Sequence, residues 1–471
     1  MEQCSVWCSH DDVTQCVSGD GCCPWFCSAP ADTDCTCKPK TCAAVGGTQC
    51  GTTDDGCGNI VDLPCCDSKA SCTNNACTCT SGTHACGIMC ADDISVLTCG
   101  TSCSPCFDDP HGTPTCDGVS CGVECDDGYH GFPGGKCGAW VTAPMTYPAG
   151  GTDYGFYSAL AAGSDGKAQI AFQDPFDTSA ARAVYGRHDG AAWSFEEVAN
   201  QALLSAHPMA GLFVDVAVQG TTPHMAYVST GTAGASSLSA VTYAVRQASK
   251  WTTETVLTAS STSGEGYLSR SRIAVSSFGS PWILYQRQRY DQPTSTEVRE
   301  AVVAHKNGTS WVHETIETIP GYVDLWLAVA VDSAGQPHVA HGTAPAALRY
   351  SVRSASGTWK TVEIPGVTAY GGVSLALDSA GLARIAYQRG GGIDFAWSDG
   401  SAAWHVENAV PSSASSPAFA LDDQQRAHIA FANAAQGGAL WYSVRTGAGV
   451  WRAERAETDV SGPQASAVDM V

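Results

Sequence analysis

The chain has 471 residues, 25 cysteines, 13 tryptophans and a formal net charge of −22. That length exceeds one ordinary core, so two or more units are expected. The acidic balance disfavours nucleic acid, which repels negative charge, and no apolar run approaches the roughly 18–20 residues of a membrane helix.

All the cysteines lie between Cys4 and Cys137, whereas all but two of the tryptophans follow Cys137. The first part carries 18 acidic residues against 4 lysines and no arginine. With so little aliphatic bulk, cross-links must supply its stability, which places the protein in an oxidising compartment: secreted or at a bacterial cell surface. Met1-Glu2-Gln3-Cys4 opens directly into the cysteine pattern, so the start reads as a mature terminus rather than a signal peptide. A lipid anchor on an early cysteine stays open. The cysteines group as eight, eight and nine, giving modules 1–40, 41–80 and 81–137, followed by a unit at 138–471. An odd total leaves at least one thiol outside intramolecular bridges. Parity puts it in the third module, with Cys137 the expected residue.

Cys99, Cys103 and Cys106 with His84, His111 and His130 offer donor types that a metal would use. In a cysteine-dense, oxidised segment the disulfide reading takes precedence. No cofactor is therefore expected. The aspartate turns, among them Asp32, Asp34, Asp54 and Asp55, present hard oxygens suited to calcium. No full twelve-residue calcium loop occurs, so solvated acidic turns are the default. GDGCCP with DTDC, TTDDGCGN and TPTCDGVSCGVECDDGYH resemble the cysteine-rich modules of secreted or surface-anchored bacterial proteins of myxobacterial type, which are similar to EGF-like or sushi-like stalks. That resemblance implies a cysteine near Phe132 as partner for Cys137, and this chain has none there.

Downstream, a unit of four short apolar runs repeats. Its clearest copy spans Val373 to Val410: SLAL, the turn Asp378 to Gly381, ARIAY, IDFAW, and a fourth run opening at Trp404. Trp193, Trp251, Trp311, Trp359, Trp404 and Trp451 mark the same place in six copies. A period near 50 residues with four strands per unit predicts an all-β fold, a six-bladed β-propeller of four-stranded antiparallel blades, with seven blades as the alternative. Trp140 to Met145 matches a fourth strand. Pro463 to Asp469 aligns with Ser416 to Asp422 as a first strand, and such unpaired terminal strands offer a route to self-association. The repeat resembles BNR/sialidase-type propellers, although Ser356 to Trp359 departs from the strict Asp-box spacing.

Sites on a propeller gather where the connections between strands two and three meet those between strand four and the next strand one. Blade three concentrates positive charge there: Arg270 and Arg272 at its first strand, and Arg287, Arg289 and Tyr290 read as its second connection. Asp291, Glu297 and Glu300 are near enough to pair with these arginines. The alternative is an anion site, since guanidinium forks bind carboxylate or sulfate. His207, Tyr267, Tyr322, Asp324, Trp326, Tyr370 and His341 complete the candidates. His341 replaces the aromatic residue that ends strand two elsewhere, and a packed variant of that column is its plainer reading. The favoured function is a disulfide-rich stalk presenting a propeller that binds a glycan or surface protein. A polysaccharide lyase is the second, with His341, Tyr290 and Arg272 as its chemistry, because His338 to Arg353 is similar to a stretch in propeller lyases. A sialidase-like hydrolase is third, with Arg270, Arg272 and Arg287 as an arginine triad.

Overall fold

A computed structural model describes residues 18, 50–54, 60–63, 67–87, 89–126, 129–132, 136–139, 145, 156–174, 181–199, 206–233, 236–260, 266–291, 296–321, 325–343, 347–368, 371–401, 403–456 and 469–470. The chain divides into two compact units, Met1–Val141 and Thr142–Val471. Among the described residues there is no α-helix, only a 3-10 turn at Ala434–Gln436, and no helix long and apolar enough to cross a membrane.

The first unit is a series of two-stranded antiparallel hairpins: Gly51–Asp54 with Ile60–Leu63, Ala70–Thr73 with Ala76–Cys79, Thr83–Cys86 with Met89–Asp92, Gly112–Cys116 with Cys121–Cys125, and Tyr129–Phe132 with Lys136–Ala139. Asn74 and Asn75, both left-handed, turn the second of these, as a two-residue hairpin loop requires. Its buried side chains are mainly sulfur. Bridges join Cys50–Cys72, Cys79–Cys90, Cys86–Cys103, Cys99–Cys116, Cys106–Cys121 and Cys125–Cys137. Cys137 is therefore paired, with Cys125, against the expectation. The parity count failed because Cys79–Cys90 crosses the 80/81 boundary, so all nine cysteines of the third group are bonded. Cys77 is bonded too. The odd cysteine is thus one of those outside the described residues, as are Asp32, Asp34 and Asp55 and the side chain of Asp54.

The second unit is a propeller of six four-stranded antiparallel blades, each with its strands in chain order. The inner strands are Phe156–Ala162, Ala206–Gln219, Tyr267–Val275, Leu325–Val331, Val373–Leu377 and Ala414–Leu421. The blade read first in the sequence is Val373–Leu377, Ala383–Arg389, Gly392–Ser398 and Trp404–Val410. Its hairpin closes as the turn Asp378 to Gly381 prescribes: Gly381, at φ 77°, donates its N–H to the Asp378 carbonyl, and Leu382 N–H reaches the Asp378 carboxylate. Strand two alternates so that Phe172, Tyr227, Tyr285, His341, Tyr387 and Phe431 form one column, each at most 1 % exposed. Each phenylalanine of the column contributes about 1.5–3 kcal/mol by leaving water.

Neighbouring blades are also tied by a repeated polar latch. The glutamate three residues after a strand-four tryptophan accepts from a cation ending strand three of the next blade, and from that blade's tryptophan. Glu196 takes Arg246 at 2.7 and 2.8 Å and Trp251 Nε1 at 2.9 Å. Glu314 takes Arg353 at 2.8 and 2.9 Å and Trp359 at 2.6 Å, and Glu407 takes Arg445 and Trp451 at 2.6 and 2.8 Å. Lys306 bonds Glu254 at 2.7 Å between blades two and three. Between blades four and five the positions are Val362 and Ser398, which cannot make it. His224, His338 and His428, at one register in three blades, each bond a strand-three tyrosine of their own blade, Tyr243, Tyr350 and Tyr442.

Burial raises the Glu314 carboxyl, but Arg353, Trp359 and His305 outweigh it and hold the group at about 2. A depressed carboxyl stabilises the fold above its unfolded value near 4.3 and loses that contribution as pH falls toward 2. Glu314→Gln is expected to cost about 1–3 kcal/mol in denaturant unfolding at pH 7. That cost shrinks toward zero as the pH approaches 2, and a cost independent of pH would contradict the assignment.

Candidate functional site

The axis of the ring is lined by the six inner strands, and their register makes positions comparable. Ala159, Asp215, Arg272, Ala328, Ser374 and Ala418 pair across to equivalent places on strand two: Ala171, Ala226, Leu284, Ala340, Ala386 and Ala430. Two residues earlier stand Tyr157, Phe213, Arg270, Trp326, Gly372 and Ser416. In four blades the ladder skips there, and Tyr157, Phe213, Arg270 and Ser416 take φ of 49°, 50°, 57° and 52°. Left-handed backbone is costly for such bulky residues and gathers where a bulge re-aims a side chain.

Three of these re-aimed side chains, Tyr157, Phe213 and Arg270, form an arc with Trp326 of the unbulged fourth blade at the end where strand one begins. Tyr157 and Phe213 meet at 4.5 Å between ring centroids. The Arg270 guanidinium lies 5.9 Å from the Phe213 centroid and 4.6 Å from that of Trp326. All four are half-buried. The other side of the mouth is small: Gly372 packs on Ser416 and Pro417. The rim is therefore an aromatic wall with one cation facing a low sill.

One layer deeper the axis is ionic. Asp215 Oδ2 accepts from Ile273 N–H of the next blade at 2.7 Å, as Ser374 Oγ accepts from Phe419 N–H at 3.2 Å. Asp469 makes the same bond to Leu160 N–H of blade one at 2.5 Å. Asp469 thus corresponds to Asp215, and not to the turn aspartate Asp422 with which the sequence alignment equates it. Crowding by protein raises Asp215 to about 6; the exposed Arg272 guanidinium pulls it down and the Asp469 carboxylate pushes it up. Asp469 is raised for the same first reason, with Arg272 opposing. Asp215 is half-buried and Asp469 exposed, although protein surrounds both.

Arg270, Arg272 and Trp326 come together at this mouth. Arg287, Arg289 and Tyr290 do not. They lie on strand two, Pro281–Asp291, which with Thr296–Asn307 runs on as a long hairpin instead of giving way to a loop. Arg287 and Arg289 both bond the buried Glu300, at 2.6 and 2.8 Å, which is the ion-pair reading. Tyr290 is half exposed and lies about 20 Å along its strand from Leu284, the partner of Arg272. His341 is enclosed, with Nδ1 3.0 Å from Glu317 of blade three and Nε2 3.1 Å from Ser351. Tyr322, Asp324, Tyr370 and the side chain of His207 lie outside the described residues. Tyr157, Phe213, Asp215 and Asp469 were missed from the sequence; an aromatic or basic residue two places before the repeated inner position was the available signal.

No protein-family model matches the chain, and no curated protein matches it. The fold is similar to that of a Penicillium chrysogenum α-L-arabinanase complexed with arabinobiose, at 12 % identity over 60 % of this chain and 90 % of that one, TM-score 0.42. It is also similar to a leech intramolecular trans-sialidase, at 7 % identity over 59 % and 64 %, TM-score 0.40. An Aleuria aurantia lectin aligns at 14 % identity over 66 % and 100 %, TM-score 0.39. These likenesses concern the architecture alone.

An acid raised in the folded state favours folding below its unfolded value, and that contribution disappears as pH rises through about 6. Asp215→Asn is therefore expected to gain stability relative to the parent as pH goes from 5 to 7.5, by a few degrees in Tm. The difference between the two proteins is the readout, because the lowered histidines His224, His338 and His428 tilt both profiles the other way. A difference constant with pH would remove Asp215 from the axial cluster.

Proposed function

We propose that the protein is an extracellular or surface binding protein whose propeller holds an acidic glycan at the axial mouth. The observation that supports this most is the arc of Tyr157, Phe213, Arg270 and Trp326 above the layer of Asp215, Arg272 and Asp469. The aromatic faces suit the C–H faces of a sugar ring. A guanidinium set against Trp326 keeps a planar donor edge, which suits a uronate carboxylate. Sugar hydroxyls entering further would donate to Asp215 and Asp469. The propeller carries 28 acidic and 20 basic residues, so its far field repels such a polymer. At physiological salt that repulsion is screened within about 8 Å, and contact at Arg270 decides.

Against the lyase reading, His341, one of its candidate bases, is enclosed between blades. The six described bridges agree with an oxidising compartment.

The test is incubation of the disulfide-intact protein with acidic and neutral polysaccharides, following retention on the polymer and ultraviolet absorbance from unsaturated uronate ends. Retention on acidic polymers without absorbance is expected. Arg270→Ala and Trp326→Ala should each weaken it by about tenfold or more while Tm stays within a few degrees. Growing absorbance would establish a lyase, and retention unchanged in both variants would place the ligand elsewhere, including on a protein partner.

A further inference from the structure

We infer that Cys86–Cys103 is a thiol–disulfide exchange site, activated by His84 and open to an external thiol. Neither half-cystine of this bridge is buried: Cys86 is half-buried and Cys103 exposed. In each of the other five described bridges one partner is buried: Cys50, Cys90, Cys99, Cys106 or Cys125, at 3–8 % exposure. A thiolate must approach one sulfur along the S–S axis. Cys72 and Cys121 are exposed as Cys103 is, but their partners Cys50 and Cys106 are buried, so only at Cys86–Cys103 among these six bridges is the leaving sulfur also outside the core.

The second observation is the imidazole. His84 Nδ1 lies 2.9 Å from the Asp93 carboxylate, while Nε2 faces the Ser102 carbonyl at 3.0 Å and Cys86 Sγ at 3.2 Å. The Ser102 carbonyl and Cys86 Sγ are both acceptors, so a proton on Nε2 serves them together. The ring is half-buried, Asp93 holds its orientation, and the nearby Asp92 is paired with Lys69 at 2.6 Å. An Nε2–H directed at Cys86 Sγ stabilises that sulfur as a thiolate.

The step follows from this polarity. An external thiolate attacks the exposed Cys103 Sγ, and the Cys86–Cys103 bond breaks with its electron pair passing to Cys86. That thiolate is held by the His84 N–H, while a new disulfide joins Cys103 to the incoming sulfur. One disulfide replaces another, so no further oxidant is needed. The thiol is a small molecule such as glutathione or the odd cysteine of a second copy of this chain.

The full-length protein is incubated with limiting glutathione, quenched with an alkylating agent and mapped by mass spectrometry. Cys86–Cys103 is expected to open first, at least about tenfold faster than any other described bridge, with glutathione on Cys103 and the alkyl group on Cys86. Protein incubated alone distinguishes the second source, through a dimer linked at Cys103. His84→Gln should slow this opening about tenfold while the other bridges keep their rates, which also shows that the variant is folded. Prior opening of another described bridge, or adducts on Cys86 in place of Cys103, would overturn the assignment. That ordering is read in the unmodified protein, so it stands whether or not the variant folds.

Discussion

A four-stranded blade cannot bury its own faces. Each is a twisted sheet a few residues wide, apolar on both sides, and it becomes stable only against the next blade. The column of Phe172, Tyr227, Tyr285, His341, Tyr387 and Phe431 is where this constraint is met, and the glutamate–arginine–tryptophan latches fix the angle at which it is met. His341 shows how strict the column is. A histidine there keeps its place only with Glu317 and Ser351 supplying partners for both nitrogens.

The axial mouth follows from the same packing. Inner strands that must lie side by side around an axis leave their first residues pointing into a shared space, and the bulges at Tyr157, Phe213, Arg270 and Ser416 direct those residues across it. Asp215, Ser374 and Asp469 then tie one inner strand to the next through backbone N–H groups. The carboxylates that hold the ring at this layer are the ones to which the proposed ligand's hydroxyls would donate.

Strand positions were legible in the sequence because period-two alternation and the Asp-Ser-Ala-Gly turns repeat with the tryptophans, and local rules decide both. Register was less so. A bulge adds one residue without changing composition, which hid the arc of Tyr157 and Phe213. Arg287, Arg289 and Tyr290 resembled a loop because charge interrupts the apolar pattern, although Glu300 across the ladder neutralises the arginines within the sheet. Cys137 defeated counting for another reason: a bridge such as Cys79–Cys90 ignores module boundaries, since sulfur pairing depends on proximity in space. The latch could have been read from Trp-x-x-Glu with a basic residue ending strand three, a pattern visible only once blades are paired in order.

The two units solve stability differently, one with sulfur and the other with aromatic columns, and the exposed Cys86–Cys103 bridge is where the first of these is open to chemistry. The central claim, that the axial mouth is the binding site, is tested most directly by a crystal structure of the protein soaked with a short uronate oligosaccharide. Sugar density against Trp326, with its carboxylate at Arg270, is the predicted result. Density confined to the outer strands of the blades, or an empty mouth in crystals of a protein that retains the polymer in solution, would contradict it.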